Sequence, residues 1–262
     1  MLLGSEQRHN PDYSPLEKAY IALFGMPIVG LRIRARNIFS LIPADRHYKR
    51  LLDAGSGTGV ISFKMGRRFP EANVLGVDLN EDAVRIGNYI SNKIKSTNVK
   101  FRKSAIEDLD EKDQFDLIVC VDILEHIEND LKAIKVLFRL IRAGGILLLH
   151  IPSLYRRYPV WRKIENFDVP THVRRGYEPH VIQEKVRQAG FTIMDTGFTY
   201  GFWETLANNI SYMITRARMQ NKIIYSFAFP FLYLISWLGP KARPKDLGAG
   251  IFIIAEKKES LK

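Results

Sequence analysis

The sequence predicts an α/β protein on a doubly wound, mostly parallel sheet of seven strands, with N-terminal helices and a helical insertion before the last strand. Three observations predict it. Short apolar runs alternate with amphipathic helical segments from residue 50 onward, the order that lays parallel strands side by side. The first strand–helix junction is glycine-rich, Leu51-Leu-Asp53-Ala-Gly55-Ser-Gly57-Thr-Gly59, the kind of turn at which such sheets bind ligands. A hydrophobic share of 46% over 262 residues is enough to bury both faces of a large sheet.

The elements follow in order. Residues 12–42 read as helix, with Leu16, Tyr20, Leu23 and Phe24 at helical spacing and a break at Pro27–Gly30. Arg32, Arg34 and Arg36 fall in a second short helix, where they can face an anionic substrate or the cofactor carboxylate; a solvated face is the expectation. The seven strands are expected at 50–54, 73–77, 99–104, 115–121, 146–151, 191–198 and 251–256. Helices are expected at 60–69, at 81–96 with Asn80 as N-cap, at 129–141 with Gly144-Gly145 closing it, and at 178–189 ended by Gly190. The chain thus divides into a helical cap (1–47), a core (48–198), an apolar and basic insertion (199–249) and a closing strand with tail (250–262).

Charge is unevenly spread. The total is +11, from 39 Lys+Arg and 28 Asp+Glu, and the excess sits in the flanks: +4 over residues 1–50, −1 over 51–150 and +8 over 151–262. Such flanks suit phosphates, anionic lipid or an anionic substrate, or serve only as a solubilising surface. The single cysteine, Cys120, excludes a disulfide framework and a cysteine-rich metal site, and it suits a reducing compartment. The start of the chain has neither a basic stretch nor an apolar run of the secretory kind, so the expected location is cytoplasmic.

The glycine turn lets the backbone bend tightly and come close to a ligand. Its spacing differs from the dinucleotide pattern G-x-G-x-x-G, and it lacks the Gly-Lys-Ser/Thr of a triphosphate loop. Asp78 ends the second strand, where a carboxylate can accept from two ribose hydroxyls.

On these residues the sequence resembles the class I S-adenosylmethionine-dependent methyltransferases, in particular the small-molecule branch that includes quinone-biosynthesis enzymes. The stretch from Phe115 to Ile127 resembles that family's fourth strand and following turn, and the stretch from His172 to Tyr177 resembles a substrate-side loop. The resemblance implies a Rossmann-like fold and S-adenosylmethionine as cofactor. It places Asp53, Gly55, Gly57 and Gly59 around the methionine part, Asp78 at the ribose, and Leu79, Ile106 and Asp122 beside them. Ala105 stands where the family commonly has an acid for the adenine amino group, which leaves adenine to Ile106 packing and backbone hydrogen bonds.

His126, just past strand four, is read as a general base on a hydroxyl nucleophile or as a histidine that merely caps a helix start. His150 is expected in the core, and His172 and Tyr177 are expected to shape the acceptor pocket. No metal is expected, because methyl transfer from a sulfonium needs alignment rather than a Lewis acid and no cluster has metal-ligand spacing. The apolar run 223–238, flanked by Arg216, Arg218, Lys222, Lys241, Arg243 and Lys245, reads as a membrane-surface contact, or as core or a homodimer interface; it is short for a crossing.

The function expected is methyl transfer to a small, lipid-like or quinone-like acceptor, at oxygen. Nucleic-acid methylation is the enzymatic alternative. Against it, Cys120-Val-Asp122-Ile replaces the Asn/Asp-Pro-Pro-Tyr/Phe run of amino-directed nucleic-acid enzymes, and no basic or aromatic RNA module is appended. A cofactor-binding partner subunit without catalysis is the third reading.

Overall fold

Strands that read as continuous apolar runs have to be covered on both faces, and this chain supplies helices for each. The computed structural model describes residues 2–215, 221–238, 244 and 246–258. Its main sheet holds β1 (Arg50–Ala54), β2 (Asn73–Asp78), β3 (Val99–Lys103), β4 (Phe115–Val121), β5 (Ile141–Pro152), β8 (Thr192–Thr199) and β9 (Gly250–Glu256). They lie in the order β3-β2-β1-β4-β5-β9-β8, with only β9 antiparallel to its neighbours.

Side chains alternate across the strands with period two. Leu51, Leu117, Val119, Leu148 and Phe252 face one side, where α2 (Val29–Leu41), α3 (Val60–Arg68) and α4 (Glu81–Lys93) cover them. Leu52, Ile118, Cys120, Leu149 and Ile253 face the other, against α5 (Asp130–Leu140) and α6 (Pro179–Gln188). Asn80 caps α4 by accepting the Ala83 N–H at 3.1 Å, and Asn129 caps α5 by accepting that of Lys132 at 3.0 Å. Ahead of the sheet, α1 (Pro15–Phe24) opens on a capping box between Ser14 and Glu17.

Three departures from the sequence reading stand out. Gly144 does not close a helix: β5 begins at once at Ile141, and Gly144, at φ +72°, turns an irregularity in which its N–H donates to Lys257 O at 2.7 Å. A two-stranded hairpin, β6 (Tyr155–Arg157) with β7 (Lys163–Glu165), follows β5; its strands are too short to show a period. The expectation of a solvated arginine face on α2 is overturned. Arg32 is 3% exposed, with its guanidinium 4.4 Å from the Tyr233 ring, and Arg36 pairs with Glu204 at 2.5 Å. Arg34 projects the other way and lines a cavity.

The segment 199–249 contains α7 (Phe202–Thr215) and α8 (Lys222–Ser236). They join α2 in a third apolar cluster of Val29, Ile33, Tyr200, Ala207, Tyr225, Phe229 and Leu232. The opposite face of α8 is bare: Ile223, Phe227, Phe231 and Leu234 are 64–77% exposed. The flanking cations Arg216, Arg218, Lys241, Arg243 and Lys245 lie outside the described residues. Among the described residues, no helix is long and apolar enough to cross a membrane.

Candidate functional site

Connections from β1 run one way to β2 and β3, while β4 and β5 lie on its other side. A crevice therefore opens at the carboxyl ends of β1 and β4, the position where open α/β sheets take ligands. The glycine turn sits there, and its three glycines have different reasons to be glycine. All have positive φ, +83° at Gly55, +51° at Gly57 and +90° at Gly59. A Cβ on Gly55 would fall 2.0 Å from Ile123 Cδ1, and one on Gly59 2.3 Å from Phe101 Cζ, so both positions are closed by the protein's own packing. A Cβ on Gly57 would have nothing within 4 Å. Gly57 alone of the three faces open space.

Asp78 borders that space. Its carboxylate accepts from the Gly57 N–H at 2.7 Å and the Asn80 N–H at 2.9 Å, which leaves lone pairs for hydroxyl donors. Asp53 lies deeper, 2% exposed, and accepts from Ser62 Oγ at 2.5 Å. Burial pushes its carboxyl up to about 7 despite that bond. Leu79 is exposed at the rim, whereas Ile106 is 5% exposed and turned into the core with Ala54 and Val77. An open glycine beside an under-used carboxylate fits a cofactor with a polar chain and a ribose.

Past β4 the backbone enters a 3-10 turn, Leu124–His126, on the wall of a cavity of about 410 Å³. Asp122 precedes the turn at φ +52°, a strained region for a residue with a side chain. Its Oδ1 lies 2.8 Å from His150 Nδ1 and its Oδ2 3.0 Å from Arg34 Nε. Burial pushes this carboxyl up, but Arg34 and His150 outweigh it and hold it below the usual range. Asp122 thus lines the cavity. His150 is 1% exposed, as expected of a core histidine, and its Nε2 lies 3.0 Å from Thr199 Oγ1.

His126 Nδ1 lies 2.9 Å from Thr171 O. A carbonyl only accepts, so the neutral ring carries its proton on Nδ1 and a lone pair on Nε2. The His172 ring packs edge-on at 4.6 Å, and burial, then the neighbouring His126, lowers its pKa. Glu125 is 1% exposed and one of its oxygens has no partner; burial, then the charge of Asp122, pushes it up to about 9. The sequence offers no cluster of metal-ligand spacing, yet the fold builds one: donor atoms of Glu125, His126 and His172 lie within 4.8 Å of one another.

Tyr177 stands apart from the cavity. It is 3% exposed, and its hydroxyl meets Leu124 O at 3.0 Å and Asp130 Oδ2 at 2.8 Å. With Arg174, which donates to the carbonyls of Leu124 and Ile127, it braces the turn that carries His126. Among the cavity residues, Arg156, Asn166, Phe167, Tyr200, Asn208 and Tyr212 went unread in the sequence. None sits in a recognisable motif, and they come from the hairpin, from the chain just beyond β7 and β8, and from α7. Glu125 did have a signal, as neighbour of His126 in the strand-four stretch.

Known proteins match this architecture. The ubiquinone biosynthesis O-methyltransferase of Acinetobacter baumannii (strain ACICU) is 25% identical over 181 residues, which span 63% of this chain and 76% of that one. Phosphoethanolamine N-methyltransferase 2 of Haemonchus contortus, solved with S-adenosyl-L-methionine, superposes with a TM-score of 0.65 at 15% identity, over 99% of this chain and 61% of that one. The [4+2]-cyclase SpnF superposes with a TM-score of 0.63 at 18% identity, over 87% and 82%. Residues 46–189 match the methyltransferase domain family, more than half of the chain. The chain belongs to that family, as a class I methyltransferase that uses S-adenosylmethionine.

Proposed function

We propose that this enzyme methylates an oxygen of a small, partly apolar acceptor held in the cavity beside the Leu124–His126 turn. The observation that carries the reading is the bond from His126 Nδ1 to Thr171 O, which leaves Nε2 as a base on the cavity wall. S-adenosylmethionine supplies an electrophilic methyl group on a sulfonium. The chain's part is to hold and align. Gly57 leaves the space for the cofactor and Asp78 accepts from its ribose, with Leu79 at the rim. Asp53 ties β1 to α3 through Ser62, and Asp122 ties the end of β4 to α2 through Arg34. His126 takes the acceptor hydroxyl proton at Nε2, and His172 shapes the space beside it. General-base assistance of this kind contributes about 10²–10⁴-fold, so His126→Ala should slow transfer of tritiated methyl by that factor with cofactor affinity intact. A loss of less than a few-fold would remove His126 from the proton transfer.

The bare stripe on α8 favours a lipid-like acceptor drawn from a membrane surface. Ile223, Phe227, Phe231 and Leu234 recur at helical spacing on the face turned from the core, and the sequence on both sides is basic. Flotation with anionic vesicles at low salt tests this. Binding should weaken with salt and with Phe227→Ser plus Phe231→Ser. A folded, cofactor-binding protein that never floats, and is a dimer, would assign the stripe to a second copy instead.

A further inference from the structure

Arg156 is a buried cation that has no counter-charge among the described residues. It rises from β6 to the cavity wall and is 6% exposed. Its Nη1 donates to Asn166 Oδ1 at 3.3 Å and its Nη2 to Asn209 Oδ1 at 2.8 Å. Both partners are neutral, and their orientation is fixed: the amide nitrogens of Asn166 and Asn209 donate to Ser153 O and Arg157 O, so each turns its oxygen to the guanidinium. Nε has no partner. Among the described residues no carboxylate pairs with it. Asp122, an acid of the same cavity, is spent on Arg34 and His150.

Taking a guanidinium out of water without an anion is costly. Part of the cost is offset by aromatic faces, since its carbon lies 4.5 Å from the Phe167 centroid and 5.8 Å from that of Tyr212. Those rings stack on each other at 4.3 Å, 12° from parallel. Burial accordingly lowers the Arg156 pKa, with only tyrosines opposing it. The arrangement combines one planar fork, with N–H groups to spare, and a flat apolar wall beside it. That is the donor set which recognises a planar or tetrahedral oxyanion attached to a flat carbon skeleton.

We infer that Arg156 docks an oxyanion group of the methyl acceptor, a carboxylate or a phosphate, whose carbon skeleton lies along Phe167 and Tyr212. This rests on the reading that the cavity holds the acceptor. It adds one requirement to that reading: the acceptor is an anion.

Binding, without turnover, tests it. The full-length protein saturated with S-adenosylhomocysteine is titrated calorimetrically with 4-hydroxybenzoate, 4-hydroxyphenyl phosphate and the neutral 4-hydroxybenzamide. At least one anionic probe should bind roughly ten- to a hundredfold more tightly than the neutral one, the range for charge-assisted hydrogen bonds. The tighter of the two identifies the oxyanion. Arg156→Gln should erase the preference and Arg156→Lys retain part of it, with S-adenosylhomocysteine affinity unchanged as the check on folding. Equal affinity of the wild-type protein for charged and neutral probes would overturn the inference without any variant. So would a charge preference that survives Arg156→Gln. Because no methyl is transferred, failure here is distinguishable from failure of the oxygen-methylation reading, which labelled-methyl turnover decides.

Discussion

Arg34 and Asp122 meet across the cavity, Nε of one 3.0 Å from Oδ2 of the other, and join the N-terminal helices to the end of the fourth strand. Both side chains are about a quarter exposed, so water screens the pair only in part. Asp122 is also the residue that holds His150, through its other oxygen.

Asp122→Asn should therefore destabilise the protein at pH 7 by about 1–3 kcal/mol, the range for a charge-assisted hydrogen bond. The folded carboxyl titrates below its unfolded value, so its contribution is present above about pH 4 and is lost as pH falls through the folded value. Urea unfolding of both proteins at pH 7 and pH 3 checks this. The gap should be present at pH 7 and smaller at pH 3.

Asp53 runs the opposite way. Its folded carboxyl titrates near 7, above the unfolded value, so the folded state binds the proton more tightly. Stability from this group is full below about pH 4 and declines as pH rises towards 7, by on the order of 4 kcal/mol if the whole rise is realised. Asp53→Asn should remove that decline. Thermal melts from pH 5 to 8 should show the wild type losing ground relative to the variant; parallel curves would mean that the carboxyl is ionised throughout.

The glycine turn predicts a contrast. Gly55→Ala drives a methyl into Ile123 at a position with φ +83°, and should cost about 2–4 kcal/mol through crowding and backbone strain together. Gly57→Ala meets open space and pays only the backbone term, about 1–2 kcal/mol. Gly57→Leu should remain folded yet fill the crevice, so that S-adenosylhomocysteine binding falls at least tenfold. Calorimetry beside chemical denaturation separates the two effects.

Asp78→Ala should weaken S-adenosylhomocysteine binding by about ten- to a hundredfold, the value of one charge-assisted hydrogen bond to the ribose. The variant also frees the Gly57 and Asn80 N–H groups, which water can reach. Unchanged affinity would detach Asp78 from the cofactor.

How much of this was legible follows from the range of each interaction. The strands announced themselves because burial on both faces demands unbroken apolar runs, and Gly and Asn marked their ends. The position of Asp78 was legible because it terminates such a run. The direction of Arg34 was readable but unread: residues two apart on a helix point to nearly opposite sides, while Arg32 and Arg36, four apart, share one. The bond from His126 to Thr171 was not legible, since it joins positions 45 apart through a loop without periodicity. The same holds for Arg156, whose surroundings are assembled from β6, the chain after β7, and α7.

Those three arginines make α2 a shared axle. Arg32 and Arg36 are clasped by the rings of Tyr233 and Trp237 at the α8 end of the chain, while Arg34, half a turn round, grips Asp122 in the cavity. A helix is stiff along its length and resists twisting about its axis. The outer helix α8 and the Asp122 wall of the cavity therefore hang on opposite sides of a single helix.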